Sequence, residues 1–171
     1  MSQISLEFHN FSRAEDWFAG IDPSELTKAL EKALTECPAT DEMKESPQSG
    51  VINVVFVSPE EIRDLNLKFR NKRKPTDVLS FSYPNNSDNT IGEVYLSPEY
   101  LKIADKKEAK AVETVRLIIH GVLHILGYDH KGYFTRNESG KLDSSEKMFV
   151  LQEQCVSKVK NEFGIENTVK I

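Results

Sequence analysis

Apolar and polar positions recur along the chain with two periods, and the changes of period mark out its elements. Ile4-Ser-Leu-Glu-Phe8 alternates residue by residue, the pattern of a half-buried strand. Asp22-Pro23 offers a capping carboxylate followed by proline at the first helical position, and Leu26, Leu30 and Leu34 then recur on one helix face. Val51-Ile-Asn-Val-Val-Phe-Val57 is a β-branched run that predicts a central strand. Ser58-Pro-Glu-Glu61 reads as a capping box that opens a helix through Leu65 to about Phe69. Val78-Leu-Ser-Phe-Ser82 and Ile91-Gly-Glu-Val-Tyr-Leu96 predict two further strands, the second leading through Ser97-Pro98-Glu99 into a short helix. A longer helix beginning near Lys107 carries Val112, Val115, Ile119, Val122 and Leu126 as its apolar stripe. The last helix, Ser145 to Phe163, is expected to bury Phe149, Val150, Cys155 and Val159. Pro38 to Gly50, Pro84 to Asn89 and Lys131 to Ser144 are polar and read as surface loops. With no internal repeat, these elements predict one α+β domain over residues 1–171: a small, mostly four-stranded mixed sheet packed against helices.

Composition narrows the class without changing the fold. A chain of 171 residues with 39% hydrophobic and 29% charged residues suits a globular domain with one core. No apolar run approaches the roughly 18 residues of a membrane span. The first residues lack the basic and apolar regions of a secretory signal. Cys37 and Cys155 stand far apart and outside any C-x-x-C pattern, so reduced thiols and a cytoplasmic location are expected, with no membrane partner. A net charge of −5 argues against coating nucleic acid with the whole surface but leaves room for a local basic site. Lys68-Phe-Arg70-Asn-Lys72-Arg73-Lys74 is such a place, with five cations in seven residues and no acid. It fits a phosphate-binding rim involving Lys72, Arg73 and Lys74, although many basic turns are simply solvated.

The densest chemistry lies in His120-Gly-Val-Leu-His124-Ile-Leu-Gly127-Tyr-Asp-His130. A single histidine on a buried helix is ordinarily a hydrogen-bonded core residue. Here three of the chain's four histidines fall in eleven residues. Four residues advance a helix by about 400°, so His120 and His124 project from one face, one turn apart. Gly127 sits where a left-handed cap would end the helix and return His130 to that face. Three neutral imidazoles with the fourth position left to water describe a catalytic zinc site. The spacing is that of the long zinc-protease signature, which implies a zincin-like histidine helix, but Gly121 stands where a peptidase carries its glutamate base. Glycine in a helix costs about 1 kcal/mol relative to alanine. Close approach of a substrate or backbone, or tight packing on a neighbouring element, would compensate.

These stretches resemble the YbeY family, metal-dependent endoribonucleases implicated in bacterial ribosomal RNA maturation. His120 to His130 matches the family's H-G-x-L-H-x-x-G-Y-D-H throughout. Asn66 to Arg70 and Lys74-Pro-Thr-Asp-Val-Leu-Ser-Phe81 match its N-x-x-[YF]-R and K-P-T-D-V-L-S-F, while Ser82 replaces a frequent proline. The resemblance implies one zinc ion per chain held by His120, His124 and His130, with Arg70 a functional residue facing the cleft and Asp129 beside the ligands. It implies a zinc-dependent, single-strand-specific endoribonuclease acting in 16S rRNA 3′-end maturation and ribosome quality control. Single-stranded or ribosomal RNA, and ribosomal small-subunit proteins, are the implied partners. The chemistry is coherent, because phosphodiester hydrolysis adds charge at phosphorus. A Lewis acid at His120 and a bidentate guanidinium at Arg70 both answer that charge. Asp129 would orient a ligand or assist the water. Tyr83 and Tyr133 could stack unpaired bases or serve ordinary packing, and Asp77 reads as a turn or strand-cap residue. The rival readings are a metallopeptidase and a non-catalytic zinc-containing ribosome assembly factor.

Overall fold

The β-branched run becomes an inner strand, and the other elements are arranged around it. The structure is a computed structural model that describes residues 3–18, 20–36, 49–83, 88–101, 107–128 and 145–165, with backbone alone at 107, 108 and 145–147. Among these residues the strands are β1 (Gln3–His9), β2 (Ser49–Phe56), β3 (Val78–Ser82) and β4 (Thr90–Leu96), in the sheet order β1-β2-β4-β3. β1, β2 and β4 run parallel, whereas β3 pairs antiparallel with β4 and forms one edge. The expected small mixed sheet is therefore present, and β2 starts two residues before the apolar run does.

The helices are α1 (Pro23–Thr35), α2 (Pro59–Arg70), α3 (Lys107–Ile125) and α4 (Ser145–Phe163). The starts of α1 and α2 follow the caps read from sequence. The Asp22 carboxylate accepts the Ser24 N–H at 2.7 Å, and Ser58 and Glu61 exchange the two bonds of a capping box. Two short 3-10 segments, Phe11–Arg13 and Glu15–Phe18, escaped the periodicity because each spans about one turn. They bring Phe11 onto Phe8 and Phe56, with Phe18 against Phe11. Among the described residues no helix is long and apolar enough to cross a membrane.

Alternation along β2 sends Ile52, Val54 and Phe56 into the main core, shared with α1, α3 and α4. The opposite face is lightly covered: α2 packs Ile62 against Val57 and Leu79, with Phe81 and Tyr95 at the margin. α3 lies close on β3 and β4. The closeness has a steric basis in two glycines. A Cβ on Gly121 would fall 2.7 Å from Val94 Cγ1, and one on Gly92 would meet both Ile125 Cδ1 and the Phe81 carbonyl at 2.7 Å. Of the alternatives open for Gly121, packing against a neighbouring element is the one realised.

The expected inner face of α4 needs correction. Phe149 and Val150 are 58% and 44% exposed among the described residues, whereas Met148, Leu151, Gln152, Cys155, Val156 and Val159 are buried. The inward stripe recurs from Met148 at spacings of three and four, and the next two residues fall off it by one and two helical steps. Cys37, the segments 38–48 and 84–87, Asp129, His130, the segment 131–144 and Tyr133 lie outside the described residues.

Candidate functional site

α3 places His120 and His124 on one face, as their spacing requires. The rings stand nearly perpendicular with centroids 4.7 Å apart, and their Nε2 atoms approach to 3.2 Å. The other ring nitrogens fix the protonation pattern. His124 Nδ1 lies 3.0 Å from the Tyr128 carbonyl oxygen, which can only accept, so Nδ1 carries the proton. The carbonyl is in reach because Gly127, at φ +99°, lets the chain turn back at the end of α3. His120 Nδ1 lies 2.9 Å from Gln152 Oε1 on α4. The amide is oriented by its other end, since Gln152 Nε2 donates to Glu153 Oε1 at 3.2 Å. His120 Nδ1 is therefore also a donor. With both Nδ1 atoms turned to acceptors, the two Nε2 atoms face one region 3.2 Å apart, where a cation could be held. The donor set fits a divalent metal that accepts imidazole nitrogen. Among the described residues no group of three or more candidate ligands is assembled. His130, the third expected ligand, and Asp129 lie beyond them.

The partner of His120 belongs to a polar seam between α3 and α4. Glu113, Arg116, His120 and His124 succeed one another at spacings of three and four, so one stripe of α3 carries all four. Arg116 donates from Nε to Glu153 Oε1 at 2.7 Å and from Nη2 to Glu153 Oε2 at 3.2 Å, and it also pairs with Glu113. The bond from Arg116 holds the Glu153 carboxyl below the usual carboxylate range, against the opposing effect of burial. The same pairing raises Arg116. Glu153 thus remains an acceptor, and the orientation of Gln152 follows from it.

Facing the histidines across a cleft is the end of α2. A cavity of about 740 Å³ is lined by Arg70, Thr76, Asp77, the edge strand Val78–Ser82, His120, His124, Gly127 and Tyr128. Arg70 is the last residue of α2, exposed, and its guanidinium makes no hydrogen bond or ion pair among the described residues. Asn71 ends the helix in the left-handed region at φ 54°. The returning loop is tied to buried Asn66, whose carbonyl accepts the Lys72 N–H at 3.2 Å and whose amide donates to the Lys74 carbonyl at 2.8 Å. The fold thereby gathers Arg70, His120 and His124 around one cavity. Lys72, Arg73 and Lys74 are exposed on the adjoining loop and do not line it. Asp77 precedes β3, where its carbonyl accepts the Ser97 N–H at 3.1 Å.

Tyr83 serves packing and hydrogen bonding. Its hydroxyl and that of Tyr95 both donate to Glu93 Oε2, at 2.9 and 2.7 Å. Burial, then the Glu93 carboxylate, pushes the Tyr83 hydroxyl up to about 12 and raises Tyr95 as well. The isolated His9 contacts the Asn53 side chain at 3.0 Å, remote in sequence from the motif. Gln152 is the site residue that sequence reasoning missed. Its signal was a polar residue inside the inward stripe of α4, between Leu151 and Cys155.

A family model described as Endoribonuclease YbeY matches residues 12–160. Among curated relatives of that name, the protein of Acholeplasma laidlawii is 36% identical over 117 residues, 67% of this chain and 79% of its own length. That of Rubrobacter xylanophilus is 35% identical over 124 residues, 72% of this chain and 82% of its own. That of Sulfurihydrogenibium sp. is 34% identical over 144 residues, 79% of this chain and 85% of its own. The solution structure of TM1509 from Thermotoga maritima aligns with 99% of this chain and 100% of that one, at 25% identity and a TM-score of 0.47. Because the family model matches residues 12–160, most of the chain, this protein belongs to the endoribonuclease YbeY family, a family of nucleases.

Proposed function

We propose that this protein is a zinc-dependent endoribonuclease that cleaves single-stranded segments of ribosomal RNA, acting in the cytoplasm in 16S rRNA 3′-end maturation and ribosome quality control. The observation that carries the reading is the pair of Nε2 atoms 3.2 Å apart, each on a ring whose Nδ1 is already spent on a fixed acceptor. His120 and His124 would hold the ion, with His130 completing the set. When bound, zinc supplies a Lewis acid and an activated water. Arg70, on the opposite wall, would grip non-bridging phosphate oxygens and stabilise the charge that accumulates on them. Lys72, Arg73 and Lys74 would guide the strand from outside the cleft. Ribosomal small-subunit proteins would present the RNA.

The peptidase alternative loses its best position. A side chain at residue 121 would run into Val94, so a glutamate there would enter the sheet instead of the cleft. The test is metal analysis together with digestion of a single-stranded RNA, with and without chelator. Wild type should contain one zinc per chain and lose cleavage on chelation, and His120→Ala and His124→Ala should lose both. Undiminished cleavage by a zinc-free preparation would overturn the proposal. A zinc-replete protein that leaves RNA intact would favour a non-catalytic assembly factor.

A further inference from the structure

Gln152 is a polar side chain, 7% exposed, on the inward stripe of α4 where that helix meets α3. A buried amide needs a reason to be there, because a leucine or methionine would fill the space without two polar atoms to satisfy. Both of its polar atoms are used, and with opposite polarity. Oε1 faces His120 Nδ1 at 2.9 Å, and Nε2 faces Glu153 Oε1 at 3.2 Å. An amide rotated by half a turn would set an N–H against the Nδ1 proton and a carbonyl against the carboxylate. Glu153 prevents that rotation, and Arg116 holds Glu153 through two bonds. Polarity is thus passed from Arg116 through Glu153 and Gln152 to His120, crossing from α3 to α4 and back.

We infer that Gln152 is a positioning residue for His120: it fixes the tautomer with the proton on Nδ1 and aims the Nε2 lone pair at the metal position, with Glu153 and Arg116 setting the direction of the amide. The inference rests on the zinc reading above for its consequence, but the tautomer is a property of the metal-free chain. His124 obtains the same tautomer from a backbone carbonyl, which no substitution at its own partner can remove. His120 depends on a side chain and is therefore the ligand whose preparation can be switched off. Loss of such an outer partner typically weakens metal affinity by about 10- to 100-fold.

Two variants separate an orienting role from a filling role. Gln152→Met keeps the length and removes the acceptor, whereas the exchange Gln152→Glu with Glu153→Gln keeps an acceptor toward His120 and a donor beside it. Zinc affinity is read by competition with a chromogenic chelator, and the His120 tautomer by ring-nitrogen chemical shifts of the metal-free protein at a pH where the ring is neutral. Wild type should show the proton on Nδ1. Gln152→Met should lose about 10- to 100-fold in zinc affinity and show mixed tautomers, and the exchange Gln152→Glu with Glu153→Gln should stay closer to wild type in both. Wild-type zinc affinity in Gln152→Met, or an equal loss in the exchange Gln152→Glu with Glu153→Gln, would overturn the assignment. So would a wild-type His120 protonated mainly on Nε2, a measurement that needs no variant to fold. If wild type binds no zinc but shows the Nδ1 tautomer, the zinc proposal fails and the orienting role stands.

Discussion

The two walls of the cleft are built on opposite principles. On the α3 wall both ring Nδ1 atoms and the neighbouring cation have assigned partners: His120 is held by Gln152, His124 by the Tyr128 carbonyl, and Arg116 by two carboxylates. On the α2 wall Arg70 extends from a helix end into water, and the cationic loop that follows is exposed. The histidines sit over the main core, the arginine beside a cluster of three buried residues. Metal ligands must converge within tenths of an ångström, so their geometry has to be fixed before the ion arrives. A phosphate-gripping guanidinium gains by staying free until substrate brings the charge, because an internal carboxylate partner would compete for it. On the proposed function, the asymmetry would separate a prearranged metal half-site from one completed by the substrate.

The sharpest break in that contrast is Arg70→Ala. It should lower RNA cleavage by about 100- to 1,000-fold while zinc content stays at the wild-type level. Arg70→Lys should recover only part of the loss, since an ammonium cannot make the bidentate contact. Loss of zinc together with cleavage would mean that the two walls are not independent. Gly121→Ala tests the rigid wall instead. Its Cβ would press on Val94 at 2.7 Å, and overpacking of this kind costs about 1–3 kcal/mol, set against a helix-propensity gain of about 1 kcal/mol. Urea unfolding should show a net loss, largely restored by Val94→Ala in the same chain. A midpoint at or above wild type would show that α3 can lift off β4 freely.

Replacing Lys72, Arg73 and Lys74 together by alanine should act on the solvated wall alone. RNA binding should weaken, and the log–log salt slope should shrink by about 0.7 for each phosphate that is no longer neutralised, with cleavage of bound RNA little changed. An unaltered slope would remove this loop from the RNA path. The smallest effect concerns Tyr83 and Tyr95, the fixed polar pair behind β3. Their hydroxyls are raised in the folded chain, so the neutral forms favour folding. That contribution is fully present below the unfolded tyrosine value near 10 and is lost as pH climbs from there through about 12. An alkaline absorbance titration should show these two of the five tyrosines ionising late, and Glu93→Gln should bring both forward.

Much of this was legible from local spacing. The caps at Asp22 and Ser58, the alternation of β2 and the shared face of His120 and His124 depend on residues within about one or two turns of each other, where backbone geometry alone dictates the outcome. The inward face of α4 was misjudged at Phe149 and Val150 because apolarity was allowed to outweigh helical phase, and Met148 and Leu151 set that phase. Gln152 could not be connected to His120 in the same way. The two are 32 residues apart, and nothing in either neighbourhood states that the helices will pack side by side.

By itself, the sequence determined the inventory and its local order: which imidazoles share a helix face, where helices begin, which strands are buried, and that a cationic stretch follows α2. Only the tertiary structure decided that Gly121 is there for Val94, that Arg70 meets the histidines across a single cavity, and that an amide from α4 sets the tautomer of His120. Local geometry repeats every few residues and can be read along the chain. Contacts between elements depend on how whole surfaces fit, and only the packed fold fixes them.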